Sequence, residues 1–136
     1  MKVMLDLNVL MDVLQHRDPF FNSAAAICER GRLRRCRLAI PSHAMTTISY
    51  IVRKTAGAEA EGTALDWLLD SFEVVPADAQ VFRQAKALGM DDYEDAVVAA
   101  SAELSKCDFI VTRNVSDFAK AKVPVVNPTE FLASFP

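Results

Sequence analysis

Apolar residues follow two rhythms along the chain. KVMLD (2–6), RLAIP (37–41), FEVVP (72–76), DFIVT (108–112) and PVVNP (124–128) are short, nearly continuous apolar runs, the pattern of buried strands. Between them apolar positions return every three or four residues, the period of a helix with one buried face. Helices are predicted over NVLMDVLQ (8–15) and, after Asp18-Pro19, over roughly 20–34, where Phe20, Ala24 and Ile27 are in register. A third runs from its expected cap, Ser42, to about Lys54, with Met45, Ile48, Ile51 and Val52 on one face. GAEAEG (57–62) interrupts the pattern, and helix resumes to about Ser71 on Leu65, Leu68 and Leu69. Asp78 starts a helix that Gly89 ends, DYEDAVVAASAEL opens one closing near Lys106, and TEFLASF forms the last.

Apolar strands separated by helices imply a parallel sheet covered on both faces. The expected fold is therefore α/β, a three-layer α/β/α sandwich on a five-stranded parallel sheet, with residues 1–136 as one domain. Such sheets bind ligands outside the carboxyl ends of their strands. Asp6 lies at that end of the first strand, and VTRNVSDF (111–118) leaves that end of the fourth. A crossover helix running antiparallel to the strands begins at the same edge, and the one feeding the fourth strand begins with DDYED (91–95).

Four of the five residues in DDYED are acids. One or two are explained by capping and by the helix dipole, which favours an acid in the first turn by about 0.3–1 kcal/mol. Asp92 and Asp95 share a helix face and repel each other. Asp6 and Asp117 add to that repulsion, which a cation would relieve. Oxygen ligands of this kind suit Mg²⁺ or Mn²⁺. Thr112 and Asn114 are placed to orient carboxylates or bound water, although Asn114 and Ser116 could simply form a turn and cap. Asn8 is either a helix cap or a donor to Asp6, and Asp12 is read as a surface or entrance acid.

Composition narrows the remaining chemistry. Net charge is −3, so bulk attraction to nucleic acid is not expected, but ERGRLRRCR (29–37) carries five arginines. That segment is either a solvated helix end or a phosphate contact. Three cysteines without a C-x-x-C pair point to reduced thiols rather than structural zinc. Only His16 and His43 are present, and nothing around Ser42-His43 marks a nucleophile elbow. The apolar runs are too short to span a bilayer, and Asp6 and Asp12 interrupt any secretory signal, so a cytoplasmic location is the expectation.

Four stretches, VMLDLNVLMDVL, DYEDAVVAASAE, FIVTRNVSDF and VPVVNPTEFL, together resemble the PIN domain, in its small VapC-like toxin form. The resemblance covers essentially the whole chain. It implies an Mg²⁺- or Mn²⁺-dependent ribonuclease with Asp6, Asp95 and Asp117 as metal ligands and Asn114 in the catalytic set. Asn8, Asp92, Glu94 and Thr112 would support them, and Arg34, Arg35 and Arg113 would contact RNA. It also implies a small antitoxin partner and a homodimer. The family's usual glutamate, in the helix after the second strand, falls on Thr47, where Asp92 or Glu94 would have to compensate. A PIN module that binds RNA or a protein without cutting is the competing reading. An aspartate-nucleophile phosphotransferase ranks behind both, because Asn8 stands where its second acid belongs.

Overall fold

Val3, Met4 and Leu5 expose no surface in the computed structural model, which describes residues 1–136. Their strand, β1 (Lys2–Leu5), is the centre of a sheet with β2 (Arg37–Pro41), β3 (Glu73–Val75), β4 (Phe109–Val111) and β5 (Val125–Val126). All pairings are parallel, in the order β3-β2-β1-β4-β5. Burial on both faces explains why β1 reads as an unbroken apolar run rather than an alternating one.

The helices are α1 (Leu7–Leu14), α2 (Phe21–Arg32), α3 (His43–Ala56), α4 (Ala58–Ser71), α5 (Ala79–Ala87), α6 (Tyr93–Leu104) and α7 (Pro128–Ser134). A 3₁₀ turn covers Val115–Phe118. The chain steps from β1 to β3 in one direction, then crosses back beyond β1 to β4 and β5. Right-handed crossovers put α1–α4 on one face and α5–α6 on the other. The packing agrees: α1 meets α2 and α3, α3 meets α4, α2 meets α7, and α5 meets α6. This is the expected three-layer sandwich.

Strand order reverses between β1 and β4, so their carboxyl ends form the crevice where this architecture binds ligands. The side of α6 in the main core is built from Val98, Ala99 and Ala102, while Ala96 and Ala100 pack against α5. The small side chains on that core side let the helix approach β1, β2 and β4 closely, which brings its acidic first turn over the crevice.

Local chemistry departs from expectation in three places. The interruption between α3 and α4 is a single residue, Gly57, whose φ of 92° suits glycine, and helix resumes at Ala58. Ser42 makes no capping bond; it already has helical backbone angles. Asp12 is not a surface acid, because it has no exposed surface. Arg113 grips it with two bonds, Nε at 2.7 Å and Nη2 at 3.1 Å. That pair ties α1 to the loop leaving β4.

Removing one partner of a buried pair strands the other charge. Arg113→Ala should lower stability by about 3 kcal/mol in urea unfolding, whereas Arg35→Ala, on the exposed surface, should change it by less than about 0.5 kcal/mol.

Candidate active site

Asp6 ends β1 and caps α1, its Oδ1 accepting the Leu7 amide at 2.8 Å. Its Oδ2 accepts the Thr112 hydroxyl at 2.8 Å and the Asn8 amide at 3.2 Å. Thr112 is fully buried, and its Oγ1 also accepts from Asn8 Nδ2 at 3.2 Å and from the Asn114 amide at 3.1 Å. Asn8 Oδ1 receives the Arg113 amide at 3.4 Å. The D-x-N of β1 and the T-x-N of β4 are thus one hydrogen-bonded unit across neighbouring strand ends. Asn8 is a donor to Asp6 and not the helix cap. Burial still raises the Asp6 carboxyl above its ordinary range, against the lowering effect of the Thr112 and Leu7 bonds.

Asp92 caps α6 by accepting the Asp95 amide at 3.1 Å. Capping therefore consumes one acid of DDYED, and the others are available. Asp95 is half-buried and pushed up to about 6, first by burial and then by Asp6, Asp92, Asp117 and Glu94. All four neighbours are acids, so the convergence expected from the parallel sheet is realised. Asp91, Asp92, Asp95, Ser116 and Asp117 line a cleft of about 300 Å³. Lys120 is the one cation in that lining, and its Nζ donates to the Gly89 carbonyl at 2.7 Å. This bond holds the approach to α6 against the segment after the 3₁₀ turn, and so keeps the acids of the two together.

His43 is a site neighbour that sequence reasoning set aside. It opens α3 directly after β2, at the same sheet edge as Asp6, and that position is the signal that could have found it. Its Nε2 is buried without a hydrogen-bond partner and lies 3.6 Å from Glu94 Oε1. Burial lowers its pKa, against the opposing influence of Glu94 and Asp6. Thr47 is half-buried one helical turn further along α3 and supplies no charge. Glu94, exposed beside His43, is the acid nearest that helix's start.

Two of the three arginines expected at the RNA lie away from the acids. Arg34 and Arg35 follow α2 and precede β2, so they stand at the amino ends of the strands, on the edge opposite the acids. Arg30 donates to the Phe135 carbonyl, and Arg32 pairs with Glu29 at 2.6 Å. Arg113 lies at the correct edge, but its guanidinium is committed to Asp12 and lies 4.0 Å over the Phe20 ring. Asn114 is exposed, makes no capping bond, and lines a neighbouring concavity instead of the acid cleft.

The donor set fits a hard divalent cation. It consists of carboxylate oxygens around one anchored acid, and Asp6 Oδ1 keeps a lone pair beyond its Leu7 bond. The side chains as they stand do not form a finished cage, since no three acidic, imidazole or thiol groups are close enough to hold an ion. Asp117 is exposed and Asp95 half-buried, whereas Asp6 is held by its bonds.

Comparisons with known proteins agree with this architecture. A DNA-bound VapBC from Salmonella typhimurium matches with a TM-score of 0.72 at 20% identity, over 94% of this chain and 98% of that one. A toxin–antitoxin complex from Klebsiella pneumoniae matches with a TM-score of 0.68 at 23% identity, over 93% and 97%. PAE2754 from Pyrobaculum aerophilum matches with a TM-score of 0.66 at 22% identity, over 99% and 95%. At these identities the likeness speaks for the fold. No curated protein matches the chain significantly in sequence. The PIN domain family model matches residues 2–116, most of the chain, including Asp6 and the DDYED acids and ending one residue before Asp117. The chain belongs to the PIN domain family.

Proposed function

We propose that the chain is an Mg²⁺- or Mn²⁺-dependent endoribonuclease that hydrolyses RNA phosphodiester bonds. The observation that carries this reading is the meeting of Asp6, Asp95 and Asp117 at the β1/β4 switch point, with Asp92 and Glu94 beside them. A divalent cation bound there supplies Lewis-acid charge that favours deprotonation of an attacking water and neutralises the scissile phosphate. Asp6, Asp95 and Asp117 are the residues that would hold it. Thr112 and Asn8 keep the Asp6 carboxylate in one orientation. Lys120 keeps the two acidic segments facing each other.

The matched VapBC and toxin–antitoxin assemblies support a role as the toxin of a type II pair. The partner would be a small antitoxin that covers the acidic cleft with basic or aromatic side chains, and the protein would work in the cytoplasm as a homodimer. No helix is long and apolar enough to cross a membrane. The second reading is a PIN module that binds without cutting, and the absence of a carboxylate at Thr47 favours it.

Cleavage of single-stranded RNA in Mg²⁺ or Mn²⁺ separates the two. Wild type should cut, and Asp95→Asn should lose at least about 100-fold, as should Asp6→Asn. Thr112→Val should lose about 10–100-fold, with metal affinity falling in parallel. Wild type and Asp95→Asn being equally inactive, with no calorimetric Mn²⁺ binding, would favour the non-cutting module.

Thermal unfolding gives an independent readout. Asp95 holds its proton more tightly folded than unfolded, since its pKa rises from 3.8 to about 6. That stability is complete below about pH 3.8 and is lost as pH rises through about 6. In EDTA the melting temperature of wild type should therefore fall relative to Asp95→Asn between pH 5 and 7. After allowance for solvent screening the difference is about 1 kcal/mol, or about 4 °C. Mn²⁺ at pH 7 should raise the melting temperature of wild type and leave Asp95→Asn nearly unchanged.

A further inference from the structure

On the other side of the β4–3₁₀ loop from the acids lies a second concavity of about 490 Å³. Phe20, Arg113, Asn114, Asn127 and Thr129 line it, and Pro19 and Pro128 stiffen its walls. Phe20 is 40% exposed and lies beside a buried ion pair. The Arg113 guanidinium stacks 4.0 Å from its ring centroid. Asp12 fixes the plane of that guanidinium through two bonds, so the stack is preorganised.

The rim of the concavity carries uncommitted polar groups. Asn127 uses its Oδ1 to accept the Glu130 amide at 2.8 Å, which leaves its side-chain NH₂ free. The Asn114 side chain makes no capping bond and is exposed. A flat aromatic–guanidinium platform edged by amides suits a ligand that is planar, polarisable and hydrogen-bonding along its edge. An unpaired nucleobase has those properties, and proteins bind such bases by stacking them on aromatic or guanidinium planes. Asn114 lines this concavity and Asp117, in the same turn, lines the acid cleft. One loop therefore separates the two sites.

We propose that this concavity binds an unpaired base of a single-stranded RNA whose backbone lies against the acid cleft. Phe20 and Arg113 form the stacking platform, and Asn114 and Asn127 contact the base edge. The choice of RNA rests on the nuclease reading above, and the stacking geometry does not.

The test measures binding of fluorescein-labelled single-stranded RNA 12-mers in the Asp95→Asn background, by anisotropy. Phe20→Ala and Phe20→Leu should each weaken binding about tenfold, the scale of one lost stacking contact. An abasic residue moved along the RNA should weaken binding to a similar degree at one position. At that position the Phe20 variants should then make no further difference. Melting temperatures report folding. If Phe20→Ala unfolds, Phe20→Trp keeps the pocket covered, and its fluorescence should be quenched by RNA beyond any change at Trp67. Unchanged affinity in the Phe20 variants, equal Phe20 dependence at every abasic position, or no RNA binding would overturn the proposal. Cleavage by otherwise wild-type protein separates the two readings. Phe20-dependent binding without cleavage removes the nuclease and leaves the base site. Cleavage with Phe20-independent binding removes the base site and leaves the nuclease.

Discussion

The bond from the Thr112 hydroxyl to the Asp6 carboxylate is the contact on which the site depends. It joins the carboxyl ends of β1 and β4, residues separated by most of the chain, at the place where strand order reverses. A carboxylate this deeply buried is costly unless its oxygens are bonded. Thr112 and Asn8 supply bonds from one side and the Leu7 amide from the other. What remains of the charge points toward the first turn of α6. The acids there are tolerable only because they are nearer solvent than Asp6 is. The site is thus graded, with a fixed, buried anion at the base and adjustable ones at the rim.

Net repulsion among these groups has a structural counterweight in the Lys120–Gly89 bond. The amine keeps its positive charge while it donates to the carbonyl, so it remains a cation at the edge of the acid cleft. Its effect is also positional: it links the approach to α6 with the segment after the 3₁₀ turn. A preorganised cluster of like charges stores unfavourable energy that a cation releases on binding.

Much of the fold was readable because period and burial speak directly through residue type. The continuous apolar run of β1 requires two covered faces. That Asp6, the DDYED acids and Asp117 share one edge followed from sheet topology, since a parallel sheet places strand ends and helix starts together; the choice of Asp95 among those acids came from the PIN resemblance. Less was readable where a side chain's partner is distant in sequence. Asp12 looks like a surface acid until Arg113 is placed beside it. Arg34 and Arg35 look like phosphate ligands until their strand edge is known. His43 carries no local motif, and only its place directly after β2, at the edge shared with Asp6 and Glu94, marks it. Ser42 has the composition of a cap, but the backbone there is already helical and leaves its hydroxyl without that task.

The Asp12–Arg113 pair has a consequence for how such a protein can diversify. Arg113 forms part of the proposed base platform, yet it also neutralises a carboxylate that has no access to water. Drift at that position is therefore constrained by folding before recognition is considered. Phe20, Asn114, Asn127 and Thr129 carry no comparable obligation to the interior. Lineages descending from this chain can retune their ligand preference through those four positions while Arg113 stays fixed as a shared hinge of fold and recognition.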